Sequence, residues 1–516
     1  MKRSIYLKGA FLAYLKQFIQ AIAGIILVPI LIKNFGMEIY SSWVLIYGFA
    51  AYLSIISFGI PSAMMAMVAQ EGDIYEKFHI LRRSFFLVAV LSSLALLSIF
   101  FLIIIPQNNP AAIFGTISLE NKSIASDLFT LFLVITFIKL PFEIFPLFFS
   151  AMNLVYINQI YEIFISILLI ACVTLVVTIN LTIYQFAMIF LIGQLILFVI
   201  SSFHVRSKWK NFLKKLDKKN KLPITPYSKI FLRGWAFLQT GIAATIIWYS
   251  DNIVIGNFLS VEKVGPYALG FKIFAYFISL QVVMNSIVYP VYGKLISERN
   301  LDLVNKYISF ILYVLPFYGL LVLTFFMLFS SEIILLWTND INAYGGYLLF
   351  FSLGLYVYVI SFSSSLSSLI NAMGLTKKTV IPSWIEVFLN LSLSIIFLKF
   401  IGIGGVALAS VLASIFSLIC AAIILTNQDG INLNLIRRFK LDFLCFLLPL
   451  IIIWFFSRLT EEISLKIFIF VAYCLYTLII FLLNITSENK KILLKIFPQA
   501  KFLKNNNFLK LFRQKS

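Results

Sequence analysis

Charged side chains inside long apolar runs are the residues of this sequence that could do chemistry. In the stretch WYSDNIVIGNF, Asp251 is surrounded almost entirely by apolar residues. The other such residues are Lys16, Lys139, Glu143, Glu162, Arg233, Lys272 and Glu386. An ionisable group near the centre of a bilayer costs about 2.5–3.5 kcal/mol on insertion scales, so it faces a partner or a water-filled cavity. Lysines there can attract an anion, and carboxylates can take up a proton or a sodium ion.

Two of these charges are predicted to lie at the same depth. The turn between the apolar runs that carry Asp251 and Lys272 centres on Val261 and Glu262. Each charge is about ten residues from that turn, and a helix rises about 1.5 Å per residue. We therefore predict that the two charges pair or share a cavity wall. A fixed ion pair that only holds the hairpin together is the alternative.

Lys139 and Glu143 are predicted to share one face of a helix because they are four residues apart. Pro141 between them removes a backbone N–H, so nearby carbonyls need partners in protein or cavity water. Mutual neutralisation is the simpler alternative for this pair. For Lys16 and Arg233, near the ends of apolar runs, snorkelling to the membrane surface is the favoured alternative.

The composition identifies the elements that must position these charges. Hydrophobic residues make up 61% of the chain, charged residues 12%, and the mean hydropathy is +0.99. Soluble domains are about half apolar and about a quarter charged. The apolar runs are about twenty residues long, as a membrane-spanning helix requires, and they lack the two-residue alternation of a membrane barrel. The fold class predicted is an all-α polytopic membrane protein.

About fourteen spans are predicted from these runs. They are 10–32, 42–68, 84–106, 126–151, 157–180, 183–203, 230–258, 265–290, 303–329, 343–372, 379–399, 404–426, 441–457 and 464–485. Lys and Arg concentrate in alternate loops and at both ends, which predicts cytoplasmic N- and C-termini. The net charge of +20 is mostly this bias, so no nucleic-acid partner is expected.

Four cysteines inside apolar runs and two distant histidines predict no disulfide framework, metal site or catalytic histidine cluster.

The basic segment 204–229 divides the chain and is predicted to include an interfacial helix on anionic headgroups. An orientation signal alone is the alternative. The predicted regions are an N-terminal six-helix bundle at 1–203, the linker at 204–229, a C-terminal six-helix bundle at 230–426, two further spans at 427–485 and a basic tail at 486–516.

Three stretches resemble the signatures of polysaccharide exporters in the MOP superfamily, which include Wzx-type O-antigen flippases. The first is PILIKNFGMEIYSSWVLIYGFAAYLSIISFGIPSA, with Gly36, Tyr40, Trp43 and Gly59. The second covers the seventh and eighth spans, with Asp251, Gly256, Gly265 and Tyr267. The third, around the eleventh and twelfth spans, supplies Asn371, Gly374, Asn390, Gly402, Gly405 and Ala409.

The resemblance implies a fold similar to that of multidrug and toxin extruders (MATE). Two six-helix bundles related by a pseudo-two-fold axis would enclose a central cavity, with two C-terminal helices added. It also implies export of an undecaprenyl-pyrophosphate-linked oligosaccharide across the bacterial inner membrane. The partners expected are the lipid bilayer, the polyprenyl-pyrophosphate-linked glycan and other proteins of surface-polysaccharide assembly.

The candidate site follows from combining the charges with this resemblance. The candidates for substrate binding in the cavity are Lys16, Gln20, Lys139, Arg233, Gln239, Lys272, Asn285 and Asn390. The lysines and Arg233 would attract the pyrophosphate, and the amides would hydrogen-bond sugar hydroxyls. Glu143, Asp251 and Glu386 are candidates for ion coupling or gating. No P-loop pattern is present, so ATP is not expected as the direct energy source. No cofactor is expected, and coupling to a proton, to sodium or to no ion stays open.

Two other functions remain as alternatives. A MATE-type antiporter of organic cations would share the fold, but its cavity should be acidic overall. An O-antigen polymerase or ligase also has about a dozen spans, but it tends to carry a large outer loop with catalytic groups. The longest outer loop predicted here, 107–125, holds one glutamate and one lysine, so no enzyme is expected.

Overall fold

A computed structural model describes residues 2–71, 73–104, 119–152, 154–210, 225–433 and 462–484. Within these residues the regular structure is entirely helical. In chain order the helices are α1 (Lys2–Phe35), α2 (Met37–Leu53), α3 (Ile60–Gln70), α4 (Ile74–Ile104), α5 (Leu119–Lys139), α6 (Ile144–Ala151), α7 (Val155–Ile179), α8 (Ile183–Lys208), α9 (Tyr227–Phe258), α10 (Val261–Ser297), α11 (Leu301–Thr338), α12 (Tyr347–Ala372), α13 (Val380–Ile401), α14 (Ile403–Thr426) and α15 (Ile463–Asn484).

The helices confirm the predicted fold class. Over the described ranges, 12 helices are long and apolar enough to cross a membrane, or 13 if α5 and α6 form one bent span. In order, they match thirteen of the fourteen predicted spans. The remaining predicted span, 441–457, lies outside the described residues, as do the basic tail, most of the basic linker and most of the predicted outer loop.

Two predicted spans are broken helices. The second consists of α2, a short 3-10 turn over Ser54–Ser57, and α3, with left-handed backbone at Phe58 and Gly59 (φ 51° and 64°). The fourth bends by 41° between α5 and α6, where Pro141 cannot donate a helical hydrogen bond. Broken backbone at membrane depth is tolerated only where protein or cavity water satisfies it.

The chain groups into two compact units. The first comprises the described residues of Met1–Leu269 and Leu335–Tyr344, and the second those of Gly270–Ile334 and Gly345–Ser516. The seventh span and the start of the eighth thus group with the N-terminal helices, whereas the sequence analysis assigned 230–426 to one bundle. The predicted boundaries of two pseudo-symmetric bundles stay a prediction.

Close backbone contact explains why α9 belongs to the first unit. A Cβ added at Gly59 would lie 2.5 Å from the carbonyl oxygen of Gly234 and 2.8 Å from the amide nitrogen of Leu238. Only glycine permits this approach, and Gly59 also needs its left-handed backbone. Small residues commonly bring membrane helices together in this way. The contact therefore joins the start of α3 to the start of α9.

The start of α9 is also held from its N-terminal side. The Glu76 carboxylate accepts a hydrogen bond from the N–H of Thr225 over 2.7 Å. Arg83, two turns further along α4, donates to the carbonyl oxygen of the same Thr225 and stacks over the Tyr227 ring at 4.6 Å. Two side chains of α4 therefore hydrogen-bond to the backbone N–H and the backbone carbonyl of Thr225, just before α9 begins.

The second unit is built on α10, α11 and α12. The rings of Phe274, Phe326 and Phe350 pack together, with centroids 4.6–6.2 Å apart. The last described span, α15, docks on α11, because Lys466 forms an ion pair of 2.5 Å with Glu332. Phe470 of α15 packs near that contact against the ring of Phe329, with centroids 5.9 Å apart. This extra helix is thus part of the second unit.

Candidate functional site

Lys139 and Glu143 face each other across the break between α5 and α6. The Lys139 ammonium is 3.2 Å from Glu143 Oε1 and donates to Gln194 Oε1 of α8 over 3.0 Å. Lys139 is the last residue of α5, and Glu143 is the N-cap of α6. A cation at a helix C-terminus and an anion at an N-terminus are each favoured by the helix dipole. The contact between the two side chains agrees with the predicted shared face, although the helix breaks between them.

A second ion pair joins α1 to α7 in the same unit. Lys16 Nζ lies 3.9 Å from Glu162 Oε2, and the Glu162 side chain keeps 33% of its surface accessible. The sequence analysis favoured snorkelling for Lys16 and assigned it no partner. The two residues lie 146 positions apart (162 − 16), so no local spacing could have indicated their contact. Here a carboxylate partner balances the charge of Lys16.

Tyr47 of α2 interacts with both pairs, and sequence reasoning missed it. Its hydroxyl interacts electrostatically with Glu143 and Glu162, and with Tyr249 of α9. Tyr249 packs against α2 at Gly48, where an added Cβ would lie 3.4 Å from the Tyr249 ring. Tyr47 is nevertheless 48% exposed. An exposed tyrosine beside intramembrane ions is the signal that could have identified it, but helix rotation had to be known first.

Asp251 is buried in the first unit against a tyrosine of the next helix. The Tyr267 hydroxyl donates to Asp251 Oδ2 over 2.5 Å, and both residues are buried. This contact joins α9 to α10, as the predicted hairpin requires. Lys272 belongs to the second unit. Its predicted pairing with Asp251 therefore stays a prediction.

In the second unit, Lys272 differs from the two lysines of the first. It is half-buried near the middle of the span Val261–Asn285. No ion pair or hydrogen bond of Lys272 is found within the described part of its unit. Glu386, on α13, is half-buried. The roles proposed for these two residues stay predictions.

The two candidate asparagines are buried between helices of the second unit. Asn285 donates to Ser364 Oγ over 3.1 Å, which ties α10 to α12. Asn390 donates to Ser410 Oγ over 2.9 Å, which ties α13 to α14. Gln281, which no spacing in the sequence indicates, donates from its amide to the Val357 carbonyl over 3.2 Å. All these bonds hold helices together, and the predicted contacts with sugar stay untested.

The remaining candidates lie in the first unit. Arg233 donates to Gln70 Oε1 of α3 over 2.8 Å, so it joins α9 to α3. Gln20 and Gln239 are half-buried. In the described ranges no three His, Cys, Asp or Glu side chains cluster in a way that could hold a metal ion.

Comparison with solved structures identifies the class of fold. A MATE family multidrug resistance transporter of the MOP superfamily matches in its inward-facing conformation with a TM-score of 0.61, 15% identity, and coverage of 80% of this chain and 97% of that chain. An outward-facing conformation of such a transporter matches with a TM-score of 0.56, 15% identity and coverage of 82% and 94%. A MOP superfamily transporter from Pyrococcus furiosus, described as having a binding pocket of reverse polarity, matches with a TM-score of 0.56, 16% identity and coverage of 82% and 94%. The chain is a multi-pass membrane protein with the MOP transporter fold.

The sequence itself assigns the family. The family model described as polysaccharide biosynthesis protein matches residues 6–296, which is more than half of the chain. This protein therefore belongs to the polysaccharide biosynthesis protein family of membrane transporters, and the predicted resemblance is confirmed. No curated protein matches the sequence.

Proposed function

We propose that this protein is a flippase for an undecaprenyl-pyrophosphate-linked oligosaccharide, such as the repeat unit of O-antigen or of another surface polysaccharide. It moves this substrate across the bacterial inner membrane by alternating access, with both termini in the cytoplasm. The family match carries the proposal, because it connects a MOP transporter fold to polysaccharide biosynthesis. The charges within the membrane support it.

Lys272 is the residue best suited to bind the pyrophosphate. A lysine near the middle of a span is unfavourable unless water or an anion accompanies it. Lys16 and Lys139 each have a carboxylate within ion-pair distance, whereas Lys272 has none within the described part of its unit. A pyrophosphate would supply the missing negative charge. The polyprenyl chain can stay in lipid while the headgroup crosses.

The proposed energy source is compatible with these charges. An inside-negative potential favours outward movement of an anionic headgroup by about 2.3 kcal/mol per charge per 100 mV. Glu143, Asp251 and Glu386 remain candidates for coupling to a proton or sodium. Transporters commonly place such sites at broken helices, and α5 and α6 form a broken helix with Glu143 at the break.

Complementation tests the proposal directly. The full chain is expressed in strains that lack their own flippase and make glycans of known structure. We expect restored surface polysaccharide with at least one glycan, and disappearance of lipid-linked units from the cytoplasmic leaflet. Lys272→Ala should reduce export at least about tenfold, while Lys272→Arg keeps most of it. The matched control is Lys263→Ala, an exposed lysine at the start of the same helix, which should export normally.

Three outcomes would contradict this proposal or its assignment of residues. Normal export by Lys272→Ala and by Lys139→Ala, at normal abundance, would refute a cationic binding cavity. No rescue in any strain, together with new resistance to organic cations, would identify a MATE-type antiporter. Rescue only of a strain that leaves single repeat units at the surface would identify a polymerase.

A further inference from the structure

We infer that the first unit carries a binding subsite for one uncharged sugar ring of the transported oligosaccharide, centred on the exposed ring of Tyr47. The inference rests on the proposed function. It adds to that function a sugar contact, whose chemistry differs from that of a lysine binding a phosphate.

Polar groups from several helices converge around Tyr47. The Lys139–Glu143 pair comes from the break between α5 and α6, and the Lys16–Glu162 pair joins α1 to α7. Both glutamates interact electrostatically with the Tyr47 hydroxyl, so one carboxylate of each pair acts on the same phenol group. Ionised groups within spanning helices face a partner, the interior of the bundle or a water-filled cavity, so accessibility decides whether a ligand can meet these pairs.

The accessible surface of these groups indicates that a ligand can reach them. The side chains of Glu143 and Glu162 keep 32% and 33% of their surface accessible, even with their lysines in place. Tyr47 is 48% exposed, although it lies in the middle of α2. Both carboxylates and the phenol ring therefore each keep surface that a ligand can contact.

The charge balance of the subsite selects the class of ligand. Lys16 and Lys139 offset Glu162 and Glu143, so the four ions sum to zero. An organic cation finds no excess negative charge, and a second phosphate finds no excess positive charge. A sugar ring fits better, because its hydroxyls donate to carboxylate oxygens and accept from lysine ammonium groups.

Tyr47 provides the apolar surface that a sugar ring also needs. Its ring is held by Trp43, stacked at a centroid distance of 6.0 Å, and by Phe132, edge-on at 6.2 Å. These neighbours fix the ring while nearly half of the residue stays accessible. The electron-rich face of an aromatic ring attracts polarised C–H groups, such as those on one face of a pyranose. Binding sites commonly combine an aromatic surface with a few converging polar groups.

The test compares two probes on the full-length protein in nanodiscs. The first is a panel of methyl glycosides of glucose, galactose, rhamnose and N-acetylglucosamine, with binding measured by saturation-transfer NMR. The second is undecaprenyl pyrophosphate without sugar, with binding measured by the thermal shift of the protein. We expect at least one glycoside to bind, and Tyr47→Ala to weaken it at least about tenfold without changing the response to undecaprenyl pyrophosphate. Lys272→Ala should show the opposite pattern.

Two more variants serve as controls. One tests whether the aromatic ring of Tyr47 binds the glycoside without its hydroxyl, and the other tests whether loss of any exposed tyrosine has the same effect. Tyr47→Phe should keep most glycoside binding, because it keeps the ring. Tyr184→Ala, on α8 and 41% exposed, removes a tyrosine of similar exposure and should change neither probe. If Tyr47→Ala does not accumulate, Glu162→Gln replaces it, with the same expected loss.

The outcomes keep this inference distinct from the proposed function. No glycoside binding by the wild-type protein, or equal binding by wild type and Tyr47→Ala, would overturn the sugar subsite. Sodium binding that depends on Glu143 and competes with the glycoside would also overturn it, in favour of a coupling-ion site. In each of these cases export could still be restored by the wild-type chain. Failure of that rescue would instead refute the flippase.

Discussion

The indole N–H of Trp337 donates to the backbone carbonyl of Ile25 over 2.7 Å. Ile25 lies four residues before Pro29 inside α1, so its carbonyl has no helical N–H to accept. Trp337 belongs to Leu335–Tyr344, the short segment that groups with the first unit. A side chain distant in sequence thus satisfies the carbonyl that a proline leaves open within a spanning helix, as a bilayer requires.

The first prediction uses this bond. Trp337→Phe should lower the stability of the protein by about 1–2 kcal/mol, because a carbonyl loses its donor. In a Pro29→Ala background the N–H of the new alanine can donate to the Ile25 carbonyl. The same Trp337→Phe change should then hardly lower the stability of the protein. A double-mutant cycle on thermal inactivation in nanodiscs measures the coupling. Trp384→Phe on α13, an exposed tryptophan, is the control. Additive effects of the two changes would contradict the predicted role of Trp337.

The second prediction concerns the ion pair at the break of the fourth span. Lys139→Ala or Glu143→Ala alone should destabilise the protein by about 2 kcal/mol, because each leaves an uncompensated charge. This value lies below that for a fully buried pair, since 32% of the Glu143 side-chain surface is accessible. The double variant should recover part of the loss. The same cycle on Lys16 and Glu162, at 3.9 Å, should give a smaller coupling energy. Equal coupling in both pairs would show that distance and helix-end position do not matter here.

The third prediction tests the close contact between α3 and α9. Gly59→Ala should strongly reduce the abundance of folded protein, at about 2–4 kcal/mol, because the new Cβ meets backbone atoms and the left-handed backbone becomes strained. Gly241→Ala on α9 is the matched control. A Cβ there meets nothing within 4 Å, so it should be neutral or slightly stabilising. Size-exclusion yield and thermal inactivation measure both variants. Similar behaviour of the two would contradict the described packing.

The fourth prediction tests the two hydrogen bonds between side chains of α4 and the backbone of Thr225. Glu76→Ala and Arg83→Ala each remove one hydrogen bond to that residue. The first turn of α9 should then open more often, and its amide hydrogens should exchange at least about fivefold faster. Hydrogen exchange read by mass spectrometry over 225–233 reports this directly. Arg82→Ala is the control, because Arg82 is the exposed neighbour of Arg83 with the same charge. Unchanged amide hydrogen exchange in both test variants would show that these hydrogen bonds do not stabilise the start of α9.

Much of the fold could be predicted from the sequence, and the reason is the bilayer. About twenty consecutive apolar residues must form a helix there, since no other local structure satisfies its own backbone. The order of the spans, the Lys139–Glu143 contact and the family resemblance therefore followed from local runs and short spacings. Breaks within spans were less visible: Pro141 and Gly59 are signals of the two breaks, whereas the left-handed backbone of Phe58 could not be predicted from its residue type.

The sequence by itself determined that this is an all-helical membrane protein with charges held inside its spans, because hydrophobic length and local hydrogen bonding act over a few residues. Tertiary structure alone decided the partners of Lys16, of Asp251 and of the Ile25 carbonyl. Lys16 forms an ion pair with Glu162. Tyr267 donates a hydrogen bond to Asp251, and Trp337 donates one to the Ile25 carbonyl. These choices depend on the rotation of each helix about its axis, and rotation is decided by the packing of all its neighbours at once.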